Sequence, residues 1–127
     1  MDLKLEVVPI PVSDVDAAKA FYTEQVGFNL DHDIRPGEGM RVVQMTPPGS
    51  ACSVVIGEGL PLGAPGSVKG VQLVVEDIDA VREALVGRGV RGQRRAAART
   101  RGRPRVTVLL LRGPGRQRLA VQELKRV

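Results

Sequence analysis

One imidazole, His32, and one thiol, Cys52, are the only side chains of their kinds in the 127 residues, so chemistry that needs a pair of either is not available. His32 reads as a partly exposed structural histidine in a strand, with a role in lining a pocket as the alternative. Cys52 reads as a small buried hydrophobe, because nothing near it in sequence marks an activated thiolate. Gln44 is either a polar residue at a sheet edge or a cavity-lining amide. No nucleophile lies beside a base, and Gly37, Gly39, Gly63 and Gly66 lack the strand-to-helix context that makes a glycine loop a phosphate cradle.

The elements that must position these residues come as a repeat. Pro11-Val12-Ser13-Asp14-Val15-Asp16-Ala17-Ala18 matches Val74-Val75-Glu76-Asp77-Ile78-Asp79-Ala80-Val81 at a constant offset of 63. Each stretch follows an apolar run and opens a helix, with Ser13 or Asp14, and Asp77, placed to cap the first free N–H groups and to suit the positive helix end. Val15, Ala18, Phe21 or Tyr22 and Val26 recur at helical spacing, as do Ile78, Val81 and Leu85. Gly27 and Gly89 stop the two helices. Strands are expected at Leu3 to Pro11, Phe28 to Ile34, Met40 to Met45 and Ala51 to Ile56, separated by Pro- and Gly-rich turns. After a linker over residues 59–68, further strands are expected at Lys69 to Glu76, Arg105 to Leu111 and Leu119 to Leu124. The strand after Gly89 is obscured by arginines.

A chain of this length forms one domain with its own core, and a single cysteine leaves no internal disulfide. No stretch has the charged start and apolar run of a secretory signal, so a bacterial-type cytoplasm is the expected location. No apolar run approaches the roughly 20 residues that span a bilayer, and 2% aromatic content gives little for stacking on bases. Neither membrane nor nucleic acid is the expected partner. The net charge of +5 is unevenly placed: residues 91–118 carry ten arginines and no acid, which leaves the remainder at −5.

Pro11-Val12-Ser13-Asp14-Val15-Asp16, Ala20-Phe21-Tyr22 and Gly27-Phe28, with Val74 to Asp79 as a second occurrence, resemble the vicinal oxygen chelate superfamily of glyoxalases, bleomycin-resistance proteins and extradiol dioxygenases. The resemblance implies an α+β fold of two tandem βαβββ modules forming a cupped mixed sheet: module one over 1–58, a linker over 59–68 and module two over 69–127. It also implies a homodimer as the common assembly.

Enzymes of that superfamily hold a divalent metal on the first and last strands of each half, where it polarises neighbouring substrate oxygens. Carried onto this chain, the resemblance puts those positions at Val7, at Ser53 or Val54, at Val71, and at Ala120 with Gln122 on the same strand face. Val7, Val71 and Ala120 cannot ligate. Glu6 and Gln72 are adjacent to such positions but alternate to the other side of a strand, unless the register is shifted by one residue.

The family places a turn of the type Gly-Asp-Pro-Asp-Gly-Asn-Gly before its last strand, where this chain has Arg112-Gly113-Pro114-Gly115-Arg116-Gln117-Arg118. Read one base earlier, GC-rich codons for the family turn translate as Arg-Gly-Pro-Gly-Arg-Gln-Arg, which agrees at all seven residues. The arginines therefore read as a compensated frameshift between Val90 and Leu119, in preference to a solvated basic loop or a nucleic-acid or acidic-ligand site.

Together these features lead to the expectation of a metal-free protein that encloses a small apolar or aromatic molecule, as the bleomycin-resistance branch sequesters a drug. The candidate cavity residues are Val7, His32, Gln44, Ser53, Val54, Val71, Ala120 and Gln122. The alternative is a glyoxalase-like lyase or isomerase, or a dioxygenase, holding zinc, nickel, iron or manganese on Glu6, Ser53 and Gln122. No cofactor is expected under the first reading.

Overall fold

The same unit is built twice. In the computed structural model, strand β1 (Val7–Pro9) leads into α1 (Val15–Ala20), which continues as a π-helical segment (Phe21–Val26) and is followed by β2 (Asn29–Ile34), β3 (Arg41–Thr46) and β4 (Ser53–Glu58). The second unit runs β5 (Gln72–Val75), α2 (Ile78–Gly87), β6 (Arg91–Ala96), β7 (Thr107–Arg112) and β8 (Arg118–Glu123). The structure describes residues 1–68, 70–96, 107–114 and 118–123, with 91–96, 107 and 108 described through their backbone.

Each unit makes a four-stranded mixed sheet of the same topology, in the orders β1-β4-β3-β2 and β5-β8-β7-β6. In each the first strand lies parallel to the last, and the other neighbours are antiparallel. Asp14 and Asp77 cap the two helices from near-identical extended conformations (φ −132°, ψ 106° and φ −128°, ψ 98°), accepting from Ala17 N and from Asp79 and Ala80 N. An extended cap with a free carboxylate oxygen is what the first helical N–H groups require.

Three boundaries differ from expectation. β1 and β5 are shorter than the apolar runs that announce them, because each pairs on one side only and just where β4 and β8 run beside it. Helix one changes to π geometry midway. Its cap and stop glycine are one residue further apart than Asp77 and Gly89, and a π segment absorbs such an extra residue without moving either end. Gly27 and Gly89 both end their helices at positive φ, 97° and 82°. The strand obscured by arginines is present as β6, paired with β7 along its whole length. The frame-shift expectation rests in part on residues 97–106 and 115–117, which lie outside the described residues.

The two units share one core. On β3, Arg41, Val43 and Met45 are buried and alternate with half-buried Val42, Gln44 and Thr46, so one face of the first sheet packs inward beneath α1. Tyr22 stands between Phe21 and Phe28, with ring centroids 5.2 and 5.4 Å away, and belongs to the same buried cluster as Leu109, Leu111 and Val121 of the second sheet. At the seam, Arg88 Nε donates to Gln25 O (2.7 Å) and Gln25 Nε2 donates to Arg88 O (3.5 Å). Gln25 lies in the last turn of the first helix and Arg88 caps the end of the second, so the two units are tied where their helices stop.

Candidate ligand-binding site

Residues paired across a sheet share a face, so the ladder register fixes what each sheet presents away from the core. On the first sheet, Val7 pairs with Ser53, and Thr46 reaches Ser53 by a hydroxyl contact of 2.6 Å. In the next row Pro9, Val55, Gln44 and His32 stand side by side, and in the third Gly57, Val42 and Ile34. This face is open. Val7 and Ile34 are 42% and 48% exposed, whereas Val43, Met45 and Ile56 on the other face are fully buried.

Four expected residues, Val7, His32, Gln44 and Ser53, thus come together on one surface. Val54 does not. It alternates to the core side at 6% exposure, which decides between the two positions in favour of Ser53. Cys52, expected to be buried, is half-buried.

The second sheet corrects a facing. Gln72 pairs with Ala120 and Val74 with Gln122, and Val74 is 58% exposed. Val71, Leu73 and Val75 instead pack against the core. The open face therefore carries Gln72, Val74, Ala120 and Gln122, while Val71 turns inward. The repeat contained this signal: Val7 displaced by 63 is Gly70, so the even-numbered residues 70, 72 and 74 inherit the face of Val7. Val54 and Val71 meet at the seam, where a cleft of about 420 Å³ is lined by them with Val8, Cys52 and Leu73. A larger cavity of about 570 Å³ lies between α2, β5 and the Pro47–Ser50 turn, lined by Val26, Phe28, Val75, Val81, Leu85 and Arg88. Gln72, which also lines it, is the one residue of this cavity that the sequence brought into the discussion of ligands; the others named are, Arg88 apart, ordinary core-type residues at helical and strand spacing.

Polar groups on the first open face are few and ordered. Asp31 is the extra residue of a β-bulge between Leu30 and His32, and a bulge re-aims a side chain. Its Oδ2 accepts from Thr46 Oγ1 at 2.5 Å. Ser53 is 7% exposed and its N–H donates to Glu6 O. On the core side a charged cluster ties α1 to β2 and β3. Arg41 donates to Asp33 (3.0 and 2.8 Å) and to Asp16 (2.7 Å), and Lys19 donates to Asp33 (2.9 Å).

The metal positions implied by the resemblance do not fit a divalent cation. Among the described residues no group of three or more His, Cys, Asp or Glu side chains converges. Of the fallback set, Glu6 precedes the paired part of β1 and is adjacent to Val7, so it alternates away from the face that carries Ser53, which leaves Ser53 and Gln122 without a charged ligand. Catalytic zinc needs about three protein ligands, and Val7, Gln72, Ala120 and a hydroxyl at Ser53 supply no charged donor.

No functionally curated protein matches the chain. Among solved structures, it is similar to TnmS3, described as an antibiotic binding protein from a Streptomyces strain (30% identity, covering 96% of each chain, TM-score 0.76). It is also similar to UcmS2 (27% identity, 96% of this chain and 98% of that one, TM-score 0.75). A superfamily member from Sphaerobacter thermophilus matches at 26% identity, over 97% of this chain and 98% of that one, with TM-score 0.77. The family model described as Glyoxalase/Bleomycin resistance protein/Dioxygenase superfamily matches residues 4–117. With the doubled βαβββ unit, the mixed sheets and this match over most of its length, the chain belongs to the glyoxalase, bleomycin-resistance and dioxygenase superfamily.

Proposed function

We propose that the protein binds and sequesters a small apolar or aromatic molecule without a metal ion, on the open face of the first sheet. The observation that carries this is the composition of that face. Val7, Val42, Val55 and Ile34 surround three polar side chains, Gln44, Ser53 and His32, which is the mix of apolar wall and sparse polar groups that holds a small ligand. The likeness to an antibiotic binding protein over nearly the full chain supports binding rather than turnover. A second copy of the chain completes the cup, because a sheet face with Val7 and Ile34 near half exposure is not a finished surface.

Calorimetric titration with naphthol, an aromatic probe of suitable size, tests the proposal. Saturable binding at one site per chain is expected, unchanged by EDTA. Binding that appears only after nickel, zinc, manganese or iron is added, or one tightly held metal equivalent lost on Glu6→Ala or Gln122→Ala, would replace sequestration by a metal-dependent reaction.

A further inference from the structure

We infer that Ser53 presents a pure hydrogen-bond acceptor to the ligand, and that the site therefore selects apolar molecules carrying an O–H or N–H donor over those carrying a carbonyl, ether or carboxylate. The inference rests on the proposed location of the ligand on the first open face, and it follows from counting protons along one row of the sheet.

That row runs Val7, Ser53, Thr46, Asp31, from the edge strand β1 across β4 and β3 to the bulge in β2. An ionised carboxylate only accepts, and a hydroxyl has one proton to give. Thr46 Oγ1, 2.5 Å from Asp31 Oδ2, spends its proton on the carboxylate. Its oxygen can then only accept from Ser53, 2.6 Å away. The Ser53 proton is thus committed inward, and the lone pairs of Ser53 are what remain for a ligand. The charge at Asp31 fixes the polarity of the whole row.

Ser53 sits where this polarity is felt. It is nearly buried, beside Val7 on the neighbouring strand and two residues from Val55 on its own, so a mismatched group there loses its water without gaining a partner. A phenolic O–H or an amine N–H completes the row. A carbonyl or carboxylate oxygen brings lone pair against lone pair.

The test is the affinity ratio of two probes that differ in one proton, naphthol and methoxynaphthalene, measured by calorimetry on the full chain. Wild type is expected to favour naphthol by roughly five- to tenfold, the scale of one hydrogen bond. Ser53→Ala should bring the ratio to about one, by weakening naphthol binding and by relieving the lone-pair clash that methoxynaphthalene meets in wild type. Thr46→Val should also erode the preference, because it releases the Ser53 proton for donation. Circular dichroism melting confirms that both variants are folded. Equal binding of the two probes by wild type, or a preference that survives both substitutions, overturns the inference and leaves the binding proposal standing. Failure of both probes to bind at all overturns the binding proposal, and this inference with it.

Discussion

Arg41 and Ser53 are the two buried polar residues among those described, and they mark the two faces of one sheet. Arg41 lies on the core side, where Asp33, Asp16 and Lys19 surround it. Hydrogen bonds from Arg41, and then from Lys19, hold the Asp33 carboxyl well below the usual carboxylate range, and hydrogen bonds to Asp33, and then to Asp16, hold Arg41 above its own. A lowered acid stabilises the fold fully above its unfolded pKa of about 4, and that contribution fades as pH falls below it toward the folded value. Asp33→Asn should therefore cost about 1.5–3 kcal/mol at neutral pH, the scale of hydrogen bonds to a charged group. Urea unfolding at neutral pH and near pH 2 checks this: the gap between wild type and variant should narrow in acid. A gap that does not change with pH would show that the carboxylate is not the source. Sequence alone could place Arg41 on a strand but not its partners, because Asp16 and Asp33 are brought to it by tertiary packing. The choice between Ser53 and Val54 was likewise open in sequence, since a short apolar strand does not announce which parity faces the core.

Strands and helices were more legible than their ends. The constant offset of 63 located both helix caps, both stop glycines to within one residue, and the order of strands in each unit. It missed the π segment, whose cause is that single extra residue, and it would have corrected the facing of β5 had it been carried back from the caps to Val7. β4 approaches β3 so closely that a Cβ at Gly57 would sit 2.1 Å from the Arg41 carbonyl oxygen, a contact with backbone that no rotamer can relieve. Gly57→Ala should destabilise by about 1–3 kcal/mol, as overpacking does. Gly70→Ala, where nothing lies within 4 Å, should stay within about 0.5 kcal/mol. Chemical denaturation of the two variants side by side checks the contrast, and equal stabilities would mean that β3 and β4 are further apart than described.

The whole molecule leaves two sheet faces incomplete. Val7 and Ile34 on one and Val74 on the other are exposed large hydrophobics, and because both sheets share one topology a second copy would meet similar surfaces on each. Closed two-fold dimers bury such surfaces without leaving new ones. Light scattering at micromolar concentration should report twice the chain mass, and a clean monomer would remove the dimer from the account. Among the described residues no helix is long and apolar enough to cross a membrane. Where the ligand sits is the central claim, and a naphthol titration followed by amide NMR shifts tests it most directly. The shifts are expected to concentrate on Val7, Gln44, Thr46, Ser53 and Val55. Shifts confined to Val26, Val81, Ala84 and Arg88 would place the ligand in the cavity between α2 and β5 and contradict it.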